Sequence, residues 1–339
     1  MHLSVNHSVL LFLVTMAAAF AGCSLVDEDM RECGTDHQLE YELRLVTNMT
    51  TEINTELKTS LGTSLELNAA EALTDYLNTI FTDFAHDLDL SFYDVAEDSL
   101  RLHHEKHIMD ANQSSYTLYI PVRRYMHTAL ANLEENDVVQ VTDDERCHRA
   151  RLQQQVADTL PPHRTGLFTA RLPMDIRENE NQTFNVRLYM ANSAIAVVVD
   201  TVGSHVRDIR MVATGFATGF NICDSSYVFA HNPVERMDEL NLKDIGGVCF
   251  AGVNFPSKGP EGTKAEDSEG AWRIRAYARV PDGTVTETAL AVHEQLLPGQ
   301  LKILKLKAQE NGAMFSSDPT VGVSITMDWN VGMHHDIDL

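Results

Sequence analysis

The chain has 339 residues and a formal net charge of −23, from 49 acidic and 26 basic side chains. A protein this acidic does not hold nucleic acid by neutralising phosphates, and it does not adhere to anionic lipid through charge. The length is ample for two sizeable cores.

Residues 9–22 form an apolar run broken only by Thr15. Such a run is shorter than the roughly 20 residues that a bilayer span needs, and it suits the apolar region of a signal peptide. Cys23 follows directly on Ala21 and Gly22, with Phe20 three positions before it. The arrangement resembles a bacterial lipobox, in which Leu is usual at the Phe20 position. On that reading residues 1–22 are a lipoprotein signal peptide, and Cys23 is the first mature residue and carries lipid. Ala19-Phe20-Ala21 also fits a signal peptidase site, so simple secretion is the alternative.

Residues 23–38 are polar and acidic and read as a spacer. Four further cysteines, Cys33, Cys147, Cys223 and Cys249, are an even number in an exported chain and are candidate disulfide partners. They allow three connectivities. If the chain divides into separate domains, Cys33 would pair with Cys147 and Cys223 with Cys249; free buried thiols are the alternative.

Leu39, Tyr41, Leu43 and Leu45 alternate with charged residues, the period of a half-buried strand. Asn68 and Glu71 are spaced as a capping box before Leu73, Leu77, Ile80, Phe81 and Phe84, which predicts an amphipathic helix over 69–86. Leu88, Leu90 and Phe92 return to strand spacing. So do residues 116–122, where Pro121 marks an edge strand or a strand end. In the run 103–107, His103 and His107 would share a face and could bind zinc if the segment were helical, but the sequence offers no third ligand. Cys147 and His148 are adjacent, whereas catalytic Cys/His pairs are usually distant in sequence. Pro161 and Pro162 stiffen a segment over 157–166 that reads as a linker. The charge balance changes here too: residues 23–163 carry a net −17 and residues 164–339 a net −6. The predicted domains are therefore 39–163, with its helix near 69–86, and 164–339.

Beyond the linker the strand signal strengthens. Phe184, Val186, Leu188 and Met190 alternate with polar residues, and Ile195, Val197 and Val199 follow. Trp272, Ile274, Ala276 and Ala278 oppose Arg273, Arg275 and Arg279. The longest alternation comes last. Val321, Val323, Ile325, Met327, Trp329, Val331 and Met333 occupy every odd position, with polar residues or glycine between them. That predicts one long strand with a buried face. The fold class is mainly β with one or more helices, and many short strands separated by turns suggest β-sandwiches. No phosphate-binding loop, dinucleotide-type glycine run or nucleophile elbow is present. Catalytic, cofactor-binding and metal residues are accordingly assigned to none.

The lipobox cysteine, the acidic Asp27-Glu28-Asp29 followed by Cys33, and the ending Asp328-Trp329-Asn330-Val331 stand together. In combination they resemble the fimbrillin-A-associated anchor family, the type V fimbria anchor lipoproteins of Bacteroidota. Met30 stands where Leu is common in that family. The resemblance implies two tandem transthyretin-like β-sandwiches. It also implies a surface-exposed lipoprotein that is held in the outer membrane through Cys23 and anchors or caps a fimbrium. Its partner would be a fimbrial shaft subunit, bound by β-strand complementation. Asp27-Glu28-Asp29 further resembles the signal that sends lipoproteins of this phylum to the cell surface. The alternative function is a surface glycan-binding lipoprotein. That role calls for aromatic platforms, and the chain has only Trp272 and Trp329 as tryptophans.

Overall fold

The structure, a computed structural model, describes residues 36–44, 48–59, 62–81, 85–96, 99–109, 113–230, 232–243, 246–259 and 271–327. The predicted signal peptide, Cys23, Cys33, Trp329, Val331 and Met333 lie outside these residues.

Strand β1 (His37–Arg44) opens the fold and is followed by helices α1 (Asn48–Glu56) and α2 (Ser64–Ile80). Four long or medium strands come next: β2 (Asp87–Asp94), β3 (Arg101–Ile108), β4 (Ser115–Leu118) and β5 (Arg124–Ala131). Shorter ones are β6 (Val139–Thr142), β7 (Arg151–Gln154) and β8 (Thr159–Leu160). The chain then runs through β9 (Phe168–Asp175), β10 (Gln182–Met190), β11 (Ser193–Asp200) and β12 (Asp208–Thr214). β13 (Gly219–Asn221), β14 (Ser226–Val228), β15 (Val234–Arg236) and β16 (Asp238–Leu240) are short. The remaining strands are β17 (Gly247–Asn254), β18 (Trp272–Arg279), β19 (Val285–Val292), β20 (Leu301–Ala308), β21 (Met314–Ser316) and β22 (Val321–Met327). The chain is mainly β, as its alternating patterns predict.

Four sheets result. The first has seven strands in the order β3-β2-β5-β9-β10-β1-β4. A four-stranded sheet runs β14-β13-β7-β6, a five-stranded sheet β16-β17-β11-β20-β21, and a six-stranded sheet β22-β19-β18-β12-β15-β8. Strands β9 and β10 complete the seven-stranded sheet, with β1 parallel to β10 from His37↔Gln182 to Arg44↔Tyr189. The first sheet therefore does not end at the predicted boundary of 163. The reason lies in β1: its buried Leu39 and Tyr41 need a neighbouring strand, and β10 supplies it from across that boundary. The 157–166 segment is not a free linker either. Thr159 and Leu160 pair with β15, and Pro162 and His163 are buried.

The sheets stack in layers. One apolar core joins the inner face of the seven-stranded sheet (Leu39, Leu88, Leu90, Phe92) to the two helices and to one face of the five-stranded sheet (Ala194, Ala196, Val198). The other face of β11 (Ile195, Val197, Val199) packs with Ile274, Ala276 and Leu290 of the six-stranded sheet. β11 is thus buried on both faces, which is why its sequence is a continuous apolar run rather than an alternating one. A third core, with Tyr93, Leu130, Leu152 and Phe220, fastens the four-stranded sheet to the outer face of the first.

Helix α2 begins earlier than its apolar spacing predicts. Thr63 is the N-cap. The Glu66 amide donates to its hydroxyl at 3.2 Å, and the Thr63 amide donates to the Glu66 carboxylate at 2.7 Å. That is a complete capping box one turn before Asn68. Asn68 instead uses its side-chain amide on the Ser64 carbonyl inside the helix. Leu65, Ala69, Leu73, Leu77 and Ile80 form the buried stripe. Helix α1, polar enough to carry no clear apolar period, buries only Met49, Ile53 and, just after it, Leu57.

Candidate functional site

The last described strand is the candidate attachment element. β22 pairs antiparallel with β19 from Thr286↔Met327 to Val292↔Val321 and forms one end of the six-stranded sheet. Its second backbone edge has no strand on it among the described residues. An open edge is a row of unpaired amides and carbonyls, which is a template for strand addition. Val321 is 9 % exposed, but Val323 is 37 % exposed. The odd-numbered face is therefore covered at the start of the strand and open two residues later. An edge strand has a neighbour on one side only, so alternation alone does not secure burial.

The cysteines arrange themselves differently from the pairing expected for separate domains. Cys147 is bonded to Cys223, with Cα atoms 5.5 Å apart. β7 and β13 pair antiparallel, Asn221 opposite Arg151, and the Ile222 amide donates to the Ala150 carbonyl at 3.0 Å. That register brings the two cysteines together, one before β7 and the other after β13. Cys147 is consequently no nucleophile for His148. Cys249 is a free thiol in the core, and burial pushes it up to about 12. It stays protonated and unreactive.

The histidine run 103–107 forms β3, an edge strand rather than a helix. Strand geometry sends His103, Glu105 and His107 to one face and His104 and Lys106 to the other. On the inner face Glu105 accepts from the Tyr116 hydroxyl of β4 and contacts His103. The His107 ring lies 4.7 Å from that of Tyr116. β3 and β4 are the opposite ends of the seven-stranded sheet, so these side chains clasp its two edges. On the outer face His104 meets Asp89 at 2.9 Å. Among the described residues no group of three or more His, Cys, Asp or Glu side chains is placed to hold a metal ion.

Trp272 is 2 % exposed, and its indole N–H donates to the Glu294 carbonyl at 3.0 Å. It serves the core and offers no aromatic platform. An exposed aromatic ring lies elsewhere. Tyr189 borders a groove of 610 Å³, between the first sheet and the four-stranded sheet, together with Met126, Arg171, Phe220, Tyr227 and Pro298.

A buried polar chain, which sequence reasoning missed, links several layers near the Pro161-Pro162 segment. His163 is fully buried. The Leu167 amide donates to Asn192 Oδ1 at 2.5 Å, which turns the Asn192 NH2 toward His163 Nδ1 at 2.7 Å. His163 Nδ1 is therefore an acceptor, and its Nε2 carries the proton. The Gln154 amide, 2.9 Å from Nε2, must present its oxygen there. Its NH2 is then left for the buried Glu235 carboxyl on β15, which otherwise has no partner for either oxygen. Burial lowers the His163 pKa to about 3 and raises that of Glu235 well above the carboxylate range. Burial thus favours the neutral form of both groups. His127, stacked 4.4 Å from Phe92, is likewise lowered to about 4 by burial. The only sequence signal for the chain was a histidine directly after two prolines, and its partners are 9, 29 and, through Gln154, more than 70 positions away.

No family model matches the chain, and no curated protein matches it. Among solved structures it is similar to a candidate polysaccharide-binding protein from Bacteroides thetaiotaomicron, with 10% identity and a TM-score of 0.49, covering 85% of this chain and 98% of that one. A candidate adhesin from Bacteroides ovatus matches with 8% identity and a TM-score of 0.49, over 88% and 96% of the two chains. The fimbrial anchor protein Mfa2 from Porphyromonas gingivalis matches with 8% identity and a TM-score of 0.47, over 86% and 99%.

Proposed function

We propose that this chain is a cell-surface accessory protein of a fimbrium, held in the outer membrane by lipid on Cys23, and that it anchors or caps the filament. On this reading a fimbrial subunit adds a strand to the sheet edge at β22. Main-chain hydrogen bonds supply the affinity, and pockets for alternate side chains supply the specificity. The observation that carries the reading is the second edge of β22, seven residues long, which bears no strand among the described residues and has Val323 exposed along it. The sequence supports it independently through the Ala21-Gly22-Cys23 pattern and the Asp328-Trp329-Asn330-Val331 ending.

Two substitutions test the two halves of the proposal. Cys23→Ala is expected to release fimbriae from the cell, and mass spectrometry of the parent should find an acylated Cys23. An unmodified N-terminus at another residue, or fimbriae that stay cell-bound and normal in length, overturns the anchoring role. Val323→Lys places a charge on the open edge, a change that natural sheets use to block strand addition. It should abolish capture of the purified subunit while leaving the melting temperature within about 2 °C of the parent, because Val323 is already partly exposed. Unchanged capture sinks the assignment to β22.

A further inference from the structure

The outward face of the six-stranded sheet carries charge of the sign opposite to the molecule. On β18 the inward residues Trp272, Ile274, Ala276 and Ala278 are buried, and Arg273, Arg275 and Arg279 point the other way with Tyr277. The register continues the pattern onto β12, where Arg210 lies opposite Tyr277. On β15, Arg236 lies opposite Val212, which in turn lies opposite Arg275. Five arginines therefore share one face. The acids on it are Asp208, opposite Arg279, and Glu287, opposite Tyr277. Arg275 is 3.6 Å from Glu287. Arg210, Arg236 and Arg279 have no carboxylate within ion-pair distance among the described residues. In a chain of net charge −23, three neighbouring guanidinium groups, Arg210, Arg236 and Arg279, with no carboxylate partner among the described residues are a local reversal.

The array is flat and extended. β15, β12 and β18 are neighbours, which makes it about 10 Å wide, and Arg273 to Arg279 spans about 20 Å along the strand. Its floor is the small buried cluster of Val212, Val234, Tyr277 and Val285. None of the exposed large apolar residues lies on β12, β15 or β18. A protein partner would need such an anchor at the centre of its interface. A polyanion needs only charges at intervals, and planar guanidinium groups match carboxylate and sulfate oxygens in pairs.

We propose that this face binds a linear anionic polysaccharide, whose carboxylate or sulfate groups meet the arginine row. The binding is separate from strand addition at β22 and does not depend on the tether.

Heparin is the probe, used with the mature chain in both column retention and titration. The expected result is retention of this acidic protein at low salt, with elution as salt rises. The triple variant Arg210→Gln, Arg236→Gln, Arg279→Gln should bind heparin at least about tenfold more weakly, since each lost cation removes a counterion-releasing contact. These side chains form no ion pair among the described residues, so the variant should melt as the parent does, and the melt confirms that it is folded. Replacing the same three residues with Lys should keep affinity within about threefold, because the charge remains. A parent protein that flows through at low salt overturns the proposal. So does a Gln variant that binds as tightly as the parent. Loss of fimbrial-subunit capture in the Gln variant, with heparin affinity unchanged, would assign the face to an acidic protein and equally overturn it.

Discussion

Acidification should weaken this fold through His163, and the effect can be isolated. Its ring is neutral in the folded protein, wedged between the Asn192 and Gln154 amides, with its pKa lowered from 6.5 to about 3 by burial. In the unfolded chain it titrates normally. Between these two values the unfolded state binds a proton that the folded state refuses, so stability falls as pH drops below 6.5 and is constant above it. Each pH unit in that window costs about 1.4 kcal/mol for one such histidine, or about 2 kcal/mol between pH 6.5 and 5. His127 acts with the same sign, because it too is neutral when folded. His163→Gln retains a donor and an acceptor for the flanking amides but does not titrate. Urea unfolding of parent and variant at pH 7, 6 and 5 should therefore show a steeper loss in the parent, by about 2 kcal/mol across the series. Whatever the variant's absolute stability, identical slopes would show that His163 is not buried neutral, and the hydrogen-bond chain derived from it would be wrong.

Three other outcomes are expected. Glu235 is buried, and burial raises its pKa well above the usual carboxylate range. It therefore weighs against stability at neutral pH, so Glu235→Gln should raise the urea midpoint at pH 7, with the gain shrinking toward pH 4; a lower midpoint at pH 7 contradicts the assignment. The Cys147–Cys223 bond closes a separation of 76 residues, for which the chain-entropy model gives about 4.5 kcal/mol. Replacing both cysteines with Ala should lower the melting temperature by about 10 °C in a chain of this size, and reducing agent should then have no further effect. Gly215 has φ +96°, and a Cβ there would stand 2.9 Å from the Trp272 Cα. Gly215→Ala should destabilise by about 1–3 kcal/mol, visible as a lower thermal midpoint; no change would mean the loop is free to move.

Sequence and structure agree where a pattern is local. β1, β2, β10 and β18 follow from period-two spacing, because a strand's faces are set by its own alternation. β4 is an edge strand that ends at Leu118, before Pro121, in keeping with the edge strand or strand end that the proline marks. Where agreement fails, a partner that the apolar spacing does not reveal decided the matter. The helix begins at Thr63 rather than near Asn68 because the reciprocal bonds of Thr63 and Glu66 are better placed than the Asn68–Glu71 spacing. Charge balance and paired prolines marked a boundary at 163, yet β9 and β10 return to the first sheet, and His163 is fully buried among Gln154, Asn192 and Phe255. Pro161 and Pro162 restrict the backbone in either case; only the packing around them distinguishes a linker from a buried wedge.

The amino-acid sequence alone determined the acidic character, the apolar run of residues 9–22, the predominance of strands and the alternation of Val321 to Met327. These depend on composition and on neighbours two positions apart. Tertiary structure alone decided that Cys147 meets Cys223, that β22 is left at a sheet edge, that the clasp of Glu105 and Tyr116 joins β3 to β4, and that five arginines from three strands share one face. Each of these rests on which strands lie side by side. Register between strands is set by the packing of both faces of every sheet at once, and no single segment encodes it.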